Sequence, residues 1–226
     1  MNLRIQHLRW LFVGILITIF CVGIAAEFAT VGLSQEWSGN VYRFTGGTPP
    51  WALSFSALIF LLYAGLMYAE PSPIRKPLPG VFRRFVAFWL DFILACLAFF
   101  PMSGLIVAIG EWKRTGVFEW IIERTEPASG DTLIFWFTSA CSCAAFVVYF
   151  TVPLLRKRPS PGACIVGYQV IPDEGRSLTL SEAIVRTLLG FLAVAMAWFA
   201  PYVFRDRKKG KFWLDRVFYT RAVTLQ

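Results

Sequence analysis

Hydrophobic and polar positions alternate along this chain in blocks. Five long runs are almost free of charge: Trp10 to Ala26, Trp51 to Ala69, Phe85 to Ile109 with only Asp91 inside it, Thr132 to Leu155, and Thr187 to Phe204. A hydrocarbon core about 30 Å thick needs roughly 20 apolar residues at about 1.5 Å of helical rise each, and every run is near that length. The pattern predicts an all-α multi-pass transmembrane helix bundle, with four well-supported spanning helices plus a fifth apolar segment that spans or re-enters.

Composition removes the soluble alternatives. Hydrophobic residues make up 57% of the 226 positions and charged ones 16%, with a mean hydropathy of +0.58. A soluble chain carries about a quarter charged residues, and scatters them. The first run also has features of a secretory signal, because Arg4 and Arg9 precede a stretch that ends in Ala25 and Ala26. The connection from Glu27 to Pro50 has no soluble domain to deliver, so an uncleaved anchor is the simpler reading.

Lys and Arg set the expected orientation, because basic connections stay in the cytoplasm during insertion. The amino-terminal tail has Arg4 and Arg9, and the Glu70 to Arg84 connection has Arg75, Lys76, Arg83 and Arg84. Both read as cytoplasmic. Glu27 to Pro50 holds only Arg43 against Glu27 and Glu36, and Gly110 to Asp131 has three basic residues against five acidic ones, so both read as external. The expected location is the cell membrane, of bacterial inner-membrane type, with a cytoplasmic amino terminus.

The fifth run conflicts with this alternation. Residues 156–186 read as a cytoplasmic connection, yet Arg205, Arg207, Lys208, Lys209 and Lys211 follow the run directly. A complete crossing would leave the most basic stretch outside. Against that, Thr179 and Glu182 fit a capping box that starts a helix near Leu180 and runs it to about Phe204. The balance favours a cytoplasmic carboxyl terminus.

Basic residues beside apolar runs suit anionic lipid headgroups, and no nucleic-acid partner is expected despite a net charge of +8. With His7 the only histidine and cysteines at 21, 96, 141, 143 and 164, no metal, cofactor or disulfide framework is expected. The cysteines read as packing residues. Ser103, Ser139 and Ser142 read as helix-packing groups, and no nucleophile, base and metal set suggests an enzyme.

Asp91 is the ionisable residue inside an apolar run. Leaving a carboxylate unpaired in hydrocarbon costs at least about 2.5 to 3.5 kcal/mol. It must face other helices or water, pair with a cation, or be protonated. Arg84, Ala87, Phe88 and Asp91 share one helical face, and Ala87 would admit close approach of another helix. Arg186, Arg216 and Arg221 are further possible charge partners. The role of Asp91 is either a buried polar lock or an ion path.

The stretch from Gly80 through Val81-Phe82-Arg83-Arg84 to Leu90-Asp91 resembles the opening of the RDD family of membrane proteins, named for an arginine and two aspartates. Ser160-Pro161-Gly162 through Gly167-Tyr168 to Asp173-Glu174-Gly175 resembles its central segment, and Leu214-Asp215 with Thr220 its closing motif. Ala163 stands where the family has lysine, Leu214 where it has histidine, and Phe218-Tyr219 where it has Ala-Gly, so the resemblance is to a divergent member. It implies a signature of Arg84, Asp91 and Asp215, and a membrane domain over 81–223. Residues 1–80 then form a two-helix extension and 205–226 a basic tail.

Apart from the family, residues 163–171 read as a short extended stretch, with Gly162 and Gly167 allowing close backbone approach. Asp215 is expected to pair with Arg84 or Arg83. The meagre polar content of the spans favours a nonenzymatic scaffold or accessory subunit that binds a partner membrane protein, another copy of itself, or lipid. The alternative, which the resemblance also implies, is a transporter, possibly a cation/proton exchanger working through Asp91.

Overall fold

The computed structural model describes residues 5–26, 32–38, 41–70, 74–75, 80–173, 176–197 and 213–225. In chain order these form α1 (Ile5–Ala26), β1 (Gly32–Ser38), β2 (Val41–Gly47), α2 (Pro50–Tyr68), β3 (Ile74–Arg75) and α3 (Val81–Thr115). There follow β4 (Ile121–Arg124), α4 (Asp131–Leu155), α5 (Pro161–Val166), β5 (Tyr168–Pro172), α6 (Leu180–Ala197), α7 (Trp213–Val217) and β6 (Thr220–Leu225). Residues 205–211 and the end of the fifth apolar run lie outside the described residues.

The fold is mostly helical. Among the described residues, three helices, in α2, α3 and α4, are long and apolar enough to cross a membrane, and α1 contributes a shorter apolar stretch over Ile5–Cys21. The expectation of an all-α architecture needs correction, because among the described residues six short strands form two three-stranded antiparallel sheets, ordered β1-β2-β4 and β3-β6-β5. The physical reason is that the connections between apolar helices leave unpaired backbone groups, and strand pairing between distant connections satisfies them.

The chain divides into two compact units. One comprises Met1–Val13, Leu62–Ile93 and Phe146–Gln226, and the other Gly14–Leu61 and Leu94–Ala145. The four divisions between them fall inside α1, α2, α3 and α4.

In the second unit, β2 pairs with both β1 and β4. Its alternation of Tyr42 and Phe44, both buried, with exposed Arg43 is the two-residue period of a strand with one covered face. Tyr42 and Phe44 form a core with Val107, Ala108 and Ile122. At its edge, the Tyr42 hydroxyl donates to Asp131 Oδ2 at 2.7 Å, and Arg124 pairs with the other Asp131 oxygen. Inside α3, Pro101 lacks an amide hydrogen. The Ser56 hydroxyl donates to the Ala98 carbonyl at 2.5 Å, a polar tie between α2 and α3 within their apolar stretches.

In the first unit, β6 is the middle strand. It pairs with β3 through Ile74 opposite Leu225, and with β5 from Tyr168 opposite Thr224 to Pro172 opposite Thr220. Helix α6 begins as the capping box anticipates: the Thr179 backbone N–H donates to Glu182 Oε2 at 2.9 Å, and the Glu182 N–H to Thr179 Oγ1 at 3.3 Å.

The expected extended stretch over 163–171 also needs correction. Residues 163–166 belong to α5, and only from Tyr168 is the chain a strand. Ser160 caps α5, Pro161 sits at its first turn, and Gly167 ends it in the left-handed region at φ 78°. These three start and stop signals outweigh the β preference of Ile165 and Val166.

Candidate functional site

Two buried carboxylates organise the first unit, and α3 contributes to both. Its inward face carries Arg84, Ala87, Phe88 and Asp91, one helical turn apart. Ala87 is fully buried, and Asp91 is 3% exposed.

Asp91 is held by hydroxyl and backbone donors. Its Oδ1 accepts the Gly162 backbone N–H at 2.6 Å and the Tyr149 hydroxyl at 3.3 Å, while Oδ2 accepts the Ser160 hydroxyl at 2.5 Å. No cation pairs with it among the described residues. The donors come from α4 and from the start of α5, so one carboxylate ties three helices together. Ser160 both caps α5, accepting from the Ala163 N–H at 3.4 Å, and donates to Asp91.

Gly162 makes this approach possible. A Cβ there would overlap the Ala87 carbonyl oxygen and lie 2.8 Å from both the Asp91 backbone nitrogen and its carboxyl carbon. The close approach expected at Gly162 is therefore present, against the small face of Ala87. Gly167 differs: a Cβ would meet only the guanidinium ends of Arg83 and Arg9, at 3.6 and 3.8 Å. Its glycine answers to the left-handed turn that ends α5.

Asp215, 1% exposed on α7, lies between two arginines. Arg84 donates through Nη1 to Oδ2, Arg186 donates through Nη2 to Oδ1 at 2.7 Å, and the Thr220 hydroxyl donates to Oδ1 at 3.2 Å. Arg84 is thus the partner of Asp215. Arg83 is exposed, with no ion pair among the described residues. Arg216 is exposed on α7 and Arg221 half-buried in β6. Leu214 and Phe218, on either side of Asp215, pack with Ala193 of α6, so the clamp also fixes α7 on that helix.

A cavity of about 140 Å³ adjoins both clusters. Asp91, Ser160 and Arg186 contribute to its lining, as do Arg158 just beyond the end of α4 and the rings of Phe88, Phe150 and Phe191. The three rings pack on one another with centroids 4.9 to 5.7 Å apart. Buried Tyr168 also lines the cavity, and burial, reinforced by the Asp91 carboxylate, pushes its phenol well up from the usual range. Tyr168 is a neutral wall.

The cysteines are free thiols, of which Cys164 alone is fully buried. Burial pushes its thiol up to about 12, and its sulfur lies 3.7 Å from the Ile5 carbonyl oxygen. Cys164 is a packing residue. Cys21, Cys141 and Cys143 are exposed, so packing inside the chain does not account for them. Among the described residues, no three His, Cys, Asp or Glu side chains converge as metal ligands.

Tyr149, Ser160 and Arg158 were missed as site residues by sequence reasoning. The pair Ser160-Pro161 is a helix-start signal that could have revealed the first donor. Tyr149 and Arg158 carry no local signal, because only packing brings them to the site.

No curated protein and no solved structure matches the chain. The model of the RDD family matches residues 78–217, a stretch that includes Arg84, Asp91, Arg186 and Asp215. The matched stretch covers more than half of the chain, and the chain belongs to the RDD family of membrane proteins.

Proposed function

We propose that this RDD protein is a nonenzymatic membrane scaffold or accessory subunit that binds a partner membrane protein or lipid. The observation that carries the reading is the occupation of both Asp91 oxygens by donors from α4 and α5. A carboxylate satisfied in this way rigidifies a bundle, and it gains nothing by exchanging its donors for a passing ion. Asp91 then acts as a lock between three helices.

We further propose four crossings, through α1, α2, α3 and α4, with both termini in the cytoplasm. Helices α2, α3 and α4 have the length and apolar character of spans, and α1 carries a shorter apolar stretch. The pairing of β6 with β5 supports the same topology. A single crossing between them would put a bilayer between hydrogen-bonded strands, so α6 re-enters or lies at the membrane face. The basic connections around β3 and β5 then meet anionic headgroups.

Helix α4 supplies the partner surface. Only 11% of its most apolar stretch is buried within the chain, against 39% for α3. Leu133, Trp136 and Phe137 face outward. Purification from native membranes in mild detergent should recover a stoichiometric protein partner or a homo-oligomer, and a carboxyl-terminal topology reporter should read cytoplasmic. A lone protein that moves protons against a cation gradient in proteoliposomes, and stops doing so as Asp91→Asn, would overturn the reading in favour of an exchanger.

A further inference from the structure

We propose that the cavity beside Asp91 binds the phosphate of an anionic phospholipid headgroup, held by Arg158 and Arg186. Charge count is the first argument. The two clusters and the cavity wall bring together Arg84, Arg158 and Arg186 against Asp91 and Asp215, a surplus of one positive charge. Asp215 is shared by Arg84 and Arg186, so it does not neutralise both.

Unused donors are the second argument. Arg186 Nε is buried and has no acceptor among the described residues. Half-buried Arg158 has no side-chain acceptor among them either. Guanidinium groups bind phosphate oxygens with short, charge-assisted hydrogen bonds, and a buried donor without an acceptor is costly.

Size and position select a lipid. The cavity of about 140 Å³ is several times the roughly 10 to 15 Å³ that one water requires, so a phosphate group fits. Arg158 follows the end of α4 at Leu155, where a spanning helix meets the headgroup layer. The rings of Phe88, Phe150 and Phe191 give the rest of the cavity an apolar wall, suited to the glycerol and first methylenes of a lipid and of no use to a free ion. The surplus of one charge matches phosphatidylglycerol, whereas in phosphatidylcholine the choline cancels the phosphate.

This inference rests on the lipid arm of the scaffold reading, and one experiment separates the two. The full chain in neutral detergent is titrated with short-chain phosphatidylglycerol, short-chain phosphatidylcholine or inorganic phosphate, and its thermal unfolding is followed. Phosphatidylglycerol should raise Tm saturably and phosphatidylcholine should not. Arg158→Gln, which leaves the Asp215 ion pairs untouched, should weaken half-saturation about tenfold or more, as losing a charged hydrogen bond would. Gly190→Leu is the second variant. Gly190 lines the cavity in α6, an added Cβ there meets no atom, and leucine favours helix over glycine, so the variant should fold and lose the lipid effect.

Equal effects of the two lipids, or wild-type binding by both variants, would overturn the inference. Saturation by inorganic phosphate with no added effect of phosphatidylglycerol would overturn the lipid as its source. A co-purifying protein partner in the absence of any phosphatidylglycerol effect would leave the scaffold reading standing and remove this one.

Discussion

The Gly162 backbone N–H and the Asp91 carboxylate meet at 2.6 Å because neither residue leaves room for anything between α5 and α3. The atoms a Cβ would strike at Gly162 are the Ala87 carbonyl oxygen and the Asp91 backbone nitrogen, which cannot rotate away. Gly162→Ala should therefore destabilise the protein by about 1 to 3 kcal/mol, the range for overpacking. It should also loosen Ser160 and Tyr149 from Asp91. Thermal unfolding in detergent measures the first effect. An unchanged Tm would mean that α5 can shift without cost.

The Asp215 clamp predicts unequal losses. Asp215→Ala strands two largely buried guanidinium groups, and breaking a buried pair in this way costs about 3 to 5 kcal/mol. Arg84→Ala and Arg186→Ala each leave Asp215 with one cation and the Thr220 hydroxyl, so each should cost less. The double change of Arg84 and Asp215 to alanine should cost clearly less than the sum of its single changes, because the residues share one network. Strict additivity in a denaturation series would show that the clamp contributes no coupling.

How much of this was legible in the sequence depended on range. The capping box joins Thr179 and Glu182, three positions apart, and its two hydrogen bonds are where the sequence puts them. The shared face of Arg84 and Asp91 follows from helical spacing, and the Arg84 to Asp215 contact was anticipated among a few possible pairs. The sheets were not legible. Strand β3 has two residues and β4 four, too short for a periodicity, and both find partners far along the chain. In α5 the strand preference of Ile165 and Val166 points one way, and the Ser160-Pro161 start with the Gly167 stop points the other and prevails. The cavity is a product of packing among several elements, which no local pattern encodes.

Lys157 offers a test of backbone strain at the edge of the site. It adopts φ 52° at the end of α4, where the Arg158 N–H donates to the Pro153 carbonyl at 2.8 Å and the Lys157 N–H to Leu154 at 3.3 Å. This pair of bonds is the Schellman arrangement, which usually places glycine at that residue. A residue with a Cβ in the left-handed region costs about 1 to 2 kcal/mol. Lys157→Gly should recover up to about 1 kcal/mol, offset in part by the greater freedom of glycine in the unfolded chain. A lower Tm would show that the lysine side chain contributes more than its backbone strain removes.

Tyr42 makes the β1-β2-β4 sheet sensitive to alkaline pH. Burial, with the hydrogen bond to Asp131 and its negative charge, raises the phenol from 10.0 to about 12. A group whose folded pKa lies above its unfolded value stabilises fully below the unfolded pKa, and that contribution is lost as pH rises through the folded one. The stability difference between wild type and Tyr42→Phe should therefore be constant below about pH 10 and shrink as pH approaches 12. Denaturant midpoints for the two proteins across that window measure it, and subtracting one from the other removes the titration of the remaining tyrosines and lysines. Deprotonation leaves a phenolate facing the Asp131 carboxylate, a pair of like charges that Arg124 alone cannot satisfy. A difference that stays flat through the whole window would mean that Tyr42 ionises without leaving the sheet, and that its hydrogen bond to Asp131 contributes nothing to the fold.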